Sequence, residues 1–158
     1  DGASTASPAS RGASAASVKP RTVVRWVVDS GASIHCLARS DCHEAGLRIS
    51  KAPVPLELLT ATGHDEVTEQ ARIRFDDFKT TVTCWITEGD CNLLSLETAL
   101  TQFKLDFIYY PTLGLPPWFM LSDGRAIVLV IDGNCPVYHQ GDPYFSPQPT
   151  IEIKGMRV

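Results

Sequence analysis

The sequence predicts a mainly β protein, and three observations support this fold class. Apolar and polar residues alternate with a period of two along residues 66–75 and 80–87, as expected for strands with one buried face. Residues 23–28 are rich in β-branched side chains, which favour strands. Turn signals containing glycine or aspartate separate the candidate strands. Helical patterns are few and short, so strands dominate the prediction.

The composition fits a single folded domain. A chain of 158 residues can bury roughly 70% of its unfolded surface on folding, which suffices for a core without metal or disulfide support. The chain is 44% hydrophobic and has a formal net charge of −4, with its basic residues scattered singly. We therefore expect no direct nucleic-acid binding. No apolar run approaches the roughly 18 residues needed to cross a membrane, so no membrane partner is expected.

Five cysteines, an odd number with no Cys-x-x-Cys pair, match neither a secreted disulfide framework nor a zinc ribbon. Cys36, Cys42 and His43 are nevertheless close in sequence and, together with His35, could ligate zinc. Reduced thiols beside unrelated histidines are the preferred interpretation. We therefore expect no metal and no cofactor.

The composition also divides the chain. Residues 1–20 consist mostly of Ala, Ser and Gly and lack a periodic apolar face, so they are predicted to be a flexible linker. Residues 21–110 are predicted to form the main domain. Residues 111–158 are predicted to be a C-terminal β-hairpin extension or a spacer, and whether they belong to the same fold stays open at this point.

The first predicted strand, residues 23–28, delivers an acidic side chain to a turn. Its bulky apolar residues predict a strand buried on both faces, and Asp29 lies where that strand ends. Ser30 and Gly31 follow, and both residue types allow a sharp turn with exposed backbone N–H groups. This arrangement directs a carboxylate towards a cleft.

A long hairpin is predicted next. Residues 56–60 and 66–75 form its strands, and the glycine-containing segment 61–65 forms its tip. Glu69 is the one misfit on the apolar face of the second strand. Before the hairpin, a single helical turn is predicted with Ser40 as its cap and Gly46 at its end, and two prolines confine residues 53–55 to an edge or a loop.

The remaining elements follow from the same patterns. Residues 80–87 alternate as a strand, and Asn92 is predicted to cap a short helix with leucines at one face. Residues 103–110 are predicted to be a strand. Asp123-Gly124 predicts a tight hairpin between residues 118–121 and 126–131, and a further turn is predicted at 132–134.

Two motifs carry a family resemblance. Asp29-Ser30-Gly31-Ala32 is the active-site pattern of aspartic proteases, and the extended pattern from Trp26 to His35 resembles the protease of Ty1/copia-type retrotransposon polyproteins. The Asn-Leu-Leu-Ser sequence at 92–95 resembles the element that follows the protease strands in those polyproteins. The resemblance implies a retropepsin-like acid protease fold, with a closed β-barrel-like protomer, a flap hairpin, one short helix and a two-fold homodimer.

The resemblance implies an aspartic endopeptidase in which Asp29 is catalytic and Ser30, Gly31 and Ala32 support the active site. Two carboxylates that share one proton can activate water and protonate the leaving nitrogen. Only one Asp-Ser-Gly occurs in the chain, so a complete dyad requires a second protomer. The sequence therefore predicts a homodimer with Asp29 of each copy at the axis.

Further roles are also implied by the resemblance. The flap that covers substrate is expected at Thr62, Gly63 and His64, and the dimer interface at Phe103, Leu105 and Phe107. The implied substrate is the protein's own Gag-Pol-type polyprotein, cleaved in the cytoplasm or within virus-like particles. For His35, which also matches the motif, a structural hydrogen bond is expected.

Two alternatives stay open. Residues 86–91 differ from the Ile-Ile-Gly-Arg segment that precedes the helix in retroviral proteases, which leaves room for a catalytically silent dimerisation or peptide-binding module. The second alternative is the zinc-binding interaction module that Cys36, Cys42 and His43 would support.

Overall fold

The computed structural model describes residues 24–146, 152–153 and 156–157, and the protein is mainly β. The predicted linker at residues 1–20 lies outside the described residues. Two short α-helices are α1 (Arg39–Glu44) and α2 (Leu96–Phe103), and 3-10 turns occur at Asp76–Phe78 and Pro111–Leu113. The strands are β1 (Val24–Asp29), β2 (Cys36–Ala38), β3 (Ile49–Thr60), β4 (Gly63–Phe75), β5 (Thr80–Thr87), β6 (Asn92–Ser95), β7 (Asp106–Ile108), β8 (Trp118–Met120), β9 (Ala126–Val128), β10 (Val130–Asp132), β11 (Cys135–Gln140), β12 (Tyr144–Ser146), β13 (Glu152–Ile153) and β14 (Met156–Arg157).

The larger sheet has eight strands in the order β10-β11-β1-β6-β2-β5-β4-β3, and a second sheet has the order β12-β9-β8-β7. β1 pairs antiparallel with β11 on one side and parallel with β6 on the other. Within the described residues, the outer strands β10 and β3 are the two ends of the larger sheet and do not join. The expected closed barrel is therefore wrong for this protomer, which has an open sheet.

β1 confirms the predicted strand, with one correction to its burial. Val24, Trp26 and Val28 are buried, whereas Arg25 is exposed and Val27 is half-buried. The strand therefore buries one face, with the period of two expected for that geometry. Trp26 is fully buried and its indole Nε1 donates a hydrogen bond to Gln140 Oε1 at 2.9 Å, so burial leaves its polar atom paired.

Residues beyond 110 are part of the same core. β11 pairs with β1, and Phe119 and Ile127, from β8 and β9, belong to the main hydrophobic cluster with Trp26. An aromatic group fills the centre of this cluster, with ring centroids 4.5 to 6.3 Å apart between neighbours; it comprises Phe75, Phe78, Phe103, Phe119 and Tyr138. The part of segment 111–158 that contains β8, β9 and β11 is thus neither a spacer nor a separate extension.

The long hairpin is present and its strands are longer than predicted. β3 and β4 pair out to Thr60 and Gly63, with a register shift between Lys51 and Leu56 where the prolines fall. β3 is an edge strand of the larger sheet, which confirms the edge position expected for a proline-containing segment. The Asp-Gly turn between β8 and β9 and the turn between β10 and β11 are confirmed, but the predicted strand 126–131 divides into β9 and β10, which belong to different sheets.

The helix boundaries required correction. Ala38, which makes no side-chain cap, occupies the N-cap position of α1, so Ser40 is not the cap, although Gly46 does follow the helix end with φ 67°. Asn92 begins β6 and not a helix. α2 begins after Ser95, whose Oγ accepts a hydrogen bond from Thr98 N at 3.4 Å. Parallel pairing with β1 keeps residues 92–95 extended despite their helix-like leucine spacing.

The predicted strand at 103–110 is reduced to β7. Phe103 ends α2, and the left-handed Lys104 (φ 55°) separates it from Leu105. Phe103 and Leu105 are 5% and 6% exposed and belong to the protomer core, whereas Phe107 is half-buried against it. The first two therefore have almost no side-chain surface for a second chain, which corrects their assignment to a dimer interface. For Phe107 that role stays a prediction.

Asn92 joins four elements through its buried side chain. Its Oδ1 accepts a hydrogen bond from Ala38 N at 2.8 Å, and its Nδ2 donates to Arg25 O at 3.0 Å and to Asp41 Oδ2. β6 is thereby tied to β1, to β2 and to α1. Asn92 is only 3% exposed, so water does not readily reach this position. Removal of the Asn92 amide would therefore leave its hydrogen-bond partners unpaired.

We predict that Asn92→Ala lowers the free energy of unfolding by about 2 to 4 kcal/mol, because buried backbone donors and acceptors lose their partner. Urea denaturation followed by tryptophan fluorescence measures this. Thr83→Ala, at an exposed site of β5, is the control and should change the value by less than about 0.5 kcal/mol. Equal stability of the two variants would contradict the role assigned to Asn92.

Candidate active site

Asp29 is the last residue of β1 and begins the loop that leads to β2. Gly31 N donates a hydrogen bond to Asp29 Oδ1 at 2.7 Å. A Cβ atom at Gly31 would lie 3.3 Å from that same oxygen, which is tighter than an ordinary contact. Glycine therefore allows the backbone to approach the carboxylate closely, and the supporting role of Gly31 in an active site stays a prediction. Ser30 is exposed beside it.

The first turn of α2 holds the loop after Asp29. Ser95 Oγ donates a hydrogen bond to Ala32 O at 2.7 Å, and Thr98 Oγ1 donates to Ser33 O at 3.2 Å. Ser95 is fully buried and is the β6 partner of Asp29 in the parallel register. Sequence reasoning did not assign either hydroxyl to the site. The Asn-Leu-Leu-Ser motif was the available signal for Ser95, whereas no motif pointed to Thr98.

His35 closes the same loop and is 2% exposed. Its Nδ1 accepts a hydrogen bond from Ser95 N at 3.1 Å, and its Nε2 lies 2.9 Å from Gln102 Oε1. An acceptor at Nδ1 and a donor at Nε2 define the neutral imidazole that carries its proton on Nε2. Burial lowers the pKa of His35, and the Gln102 hydrogen bond only partly opposes this. The structural role expected for His35 is confirmed.

A cleft of about 520 Å³ lies between the β3–β4 hairpin and the segment at 87–91. Cys36 and Leu93 line it, as does Thr62 at the hairpin tip. Asp29 is not among the lining residues but lies close to them. Burial, followed by the negative charge of Asp29, raises the pKa of Cys36 to about 11. The carboxylate is therefore near enough to Cys36 to act on its thiol electrostatically.

The residues predicted for the flap occupy the hairpin tip. Gly63 has φ 136°, a conformation that side-chain-bearing residues rarely adopt, and Thr60 Oγ1 donates to its carbonyl at 3.0 Å. Thr62 lies 3.1 Å from Thr60 through their hydroxyl oxygens. Gly63 and His64 are exposed and lie outside the cleft lining. The single chain thus brings Thr62 to the cleft without the other two.

The geometry does not favour the zinc hypothesis. In the part of the chain that the structure describes, no three His, Cys, Asp or Glu side chains converge to hold a metal ion. Cys36 and Cys42 are buried, and burial raises the pKa of both thiols. A cysteine that ligates zinc must be a thiolate, which these environments disfavour. Among the same residues, no helix has both the length and the apolar character to span a bilayer.

The site therefore presents one carboxylate, supported by a backbone N–H and set in a rigid loop beside an open cleft. A carboxylate of this kind accepts a proton when ionised and donates one when protonated. Hydrolysis of an amide needs both actions at once, which one carboxylate does not supply.

A family model described as an aspartyl protease matches residues 15–97, which are more than half of the chain and include Asp29, the hairpin and Ser95. No curated protein and no solved structure matches the sequence significantly. The matched segment carries the loop, the hydrogen bond to its carboxylate and the strand that supports them. The chain therefore belongs to the aspartyl protease family.

Proposed function

We propose that the protein is a retropepsin-like endopeptidase that works as a two-fold homodimer. The observation that carries the proposal is Asp29, held by Gly31 N at the end of β1, as the one Asp-Ser-Gly carboxylate in the sequence. Asp29 from each of two protomers would complete the dyad. Closed cyclic symmetry places identical residues together at the axis, so one motif per chain suffices.

In this dyad one Asp29 is ionised and the other is protonated, because like charges so close do not both ionise readily. The ionised carboxylate takes a proton from water, whose oxygen attacks the scissile carbonyl. The protonated carboxylate donates to the carbonyl oxygen, and a gem-diol forms. As the diol collapses and the C–N bond breaks, the protonated carboxylate donates its proton to the departing nitrogen and the other carboxylate takes a proton from a diol hydroxyl, which leaves a carboxylic acid and an amine. The two carboxylates then again share one proton.

The proposed substrate is an extended polypeptide that lies between hairpin and floor. Backbone hydrogen bonds to the hairpin would give affinity, and alternating side chains would enter the cleft. The 520 Å³ cleft is large enough for side chains, and its wall and floor are built by β3, β4 and β6. Because the motifs at residues 26–35 and 92–95 resemble those of retrotransposon polyproteins, we extend the proposal to the substrate. The protein would cleave its own Gag-Pol-type polyprotein, in the cytoplasm or in virus-like particles.

The structure favours catalysis over a silent peptide-binding module. A module that only binds peptide has no need for hydrogen bonds from several elements around one carboxylate. Here Gly31, Ser95, Thr98 and His35 together hold the backbone around Asp29. Catalytic groups require such positioning, because small displacements lower the rate steeply.

We predict that Asp29→Asn abolishes cleavage of a polypeptide that contains the Ala/Ser-rich segment 1–20, because an amide neither accepts nor donates the required protons. Cleavage is followed by electrophoresis and mass spectrometry of the products, and circular dichroism checks that the fold is retained. Asp123→Asn, in the β8–β9 turn, is the matched control and should cleave normally. Undiminished cleavage by the Asp29 variant would refute the assignment.

We predict that Asp29→Asn subunits suppress wild-type activity when the two are mixed and allowed to exchange. In an equal mixture about one quarter of randomly formed dimers contain two intact copies, so activity should fall to about one quarter of that of wild-type protein alone at the same total concentration. Sedimentation verifies the dimer. Activity that stays near one half would show that each protomer acts independently.

We predict that folding stability falls as the pH drops below about 6.5, because His35 is neutral when folded and its pKa is lowered from that ordinary value. The unfolded state then binds a proton that the native state does not. This loss ends below the lowered native pKa. His35→Gln, which removes the titration, should show a smaller loss between pH 7 and pH 5 in chemical denaturation. His64→Gln, at the exposed hairpin tip, should behave like the wild type.

A further inference from the structure

Glu69, the residue that does not fit the apolar face of β4, lies where the pairing of the β3–β4 hairpin with β5 ends. Pairing between β4 and β5 begins at Gln70, opposite Trp85. On the other strand, Lys51 pairs with Glu69 just before the register shift that ends at Leu56. Beyond this level, residues 56–68 are paired only within the hairpin itself. Glu69 therefore lies at the base of the projecting part.

Arg39 contacts Glu69 at that level. The guanidinium of Arg39 binds Glu69 Oε2 through Nη2, and it also binds Glu88 Oε1 through Nε at 2.8 Å and Nη2 at 2.6 Å. The Arg39 side chain is 32% exposed and the Glu69 side chain is 37% exposed, so the pair is partly shielded from water. These hydrogen bonds raise the pKa of Arg39 and keep its charge fixed.

The three residues come from three separate elements that line the cleft. Glu69 belongs to the hairpin and Glu88 follows β5, whereas Arg39 begins α1 directly after β2. The backbone before Arg39 is held in turn, because Ala38 N donates to Asn92 Oδ1 at 2.8 Å. A continuous set of contacts thus runs from β1, through Asn92 and Arg39, to the base of the hairpin.

We propose that Arg39 is a positioning residue that latches the hairpin to the active-site floor and so sets the height of the hairpin above the cleft. This role rests on the proposed protease function, but the latch itself is a property of the fold. With Arg39 in place, the projecting residues 56–68 pivot from a fixed base. Without it, Glu69 and Glu88 repel each other across the cleft and the base is released.

The test compares Arg39→Gln and Glu69→Gln with wild type in the full chain, using backbone hydrogen exchange. Both variants should accelerate exchange of residues 56–68 by about two- to fivefold, the range expected when partly exposed ion pairs are lost. Exchange in β5 and β11 should be unchanged. Arg74→Gln is the matched control, because Arg74 lies on the same strand and pairs with Asp76 at 3.3 Å outside the cleft.

Peptide-cleavage kinetics provide a second readout. Both latch variants should raise KM by about two- to tenfold with kcat nearly unchanged, because the hairpin positions substrate and does not touch the reacting atoms. Unchanged exchange of residues 56–68 in both variants would overturn the latch, whatever happens to activity. If the protein proved not to be a protease, Asp29→Asn would show it, and hydrogen exchange would still decide on the latch.

Discussion

The parallel pairing of β1 with β6 is the constraint on which the active site depends. It aligns Asp29 with Ser95, so the end of the strand that carries the carboxylate lies beside the first turn of α2. Polar side chains at both ends of β6 then hold the surrounding backbone. Asn92 binds β1, β2 and α1, and Ser95 binds the loop after Asp29. A four-residue strand thereby fixes the floor of the site from two directions.

The same pairing explains which parts of the structure could be predicted from sequence. Local composition and periodicity predict β1, β4 and β5. A motif of ten residues predicts the role of Asp29. The extended state of Asn92 depends on a partner strand more than 60 residues away in sequence, as the register with Trp26 shows. The spacing of the leucines that follow Asn92 suggests a helix, but pairing with β1 keeps residues 92–95 extended. Phe103 was misassigned for the same reason, since its aromatic partners Phe75 and Phe78 are distant in sequence.

Residues that look anomalous in sequence acquire their explanation only from non-local contacts. Glu69 interrupts an apolar face because the guanidinium of Arg39 lies beside it there. His35 is buried because both of its ring nitrogens find partners, Ser95 N and Gln102 Oε1, on the strand–helix unit that follows the cleft wall. No local pattern contains this information. In both cases, the polar residue that does not fit the local pattern contacts an element that is distant in sequence.

These contacts divide the surroundings of the cleft into two parts. The loop around Asp29 is held in place, whereas the β3–β4 hairpin is less constrained. Ser95 and His35 make buried or partly buried hydrogen bonds between elements around the Asp29 loop, and such bonds are costly to break where water does not replace them. The hairpin beyond Glu69 has its own ladder and exposed side chains such as Leu59, which is 79% exposed. The proposed protease would require both properties, since its carboxylates would have to hold their geometry while a polypeptide enters and leaves. Arg39 joins the two parts at the level where one ends and the other begins, through an ion pair that solvent partly screens. An ion pair of intermediate strength suits that position. A buried contact would immobilise the β3–β4 hairpin, whereas a fully exposed ion pair would hold it too weakly to position it.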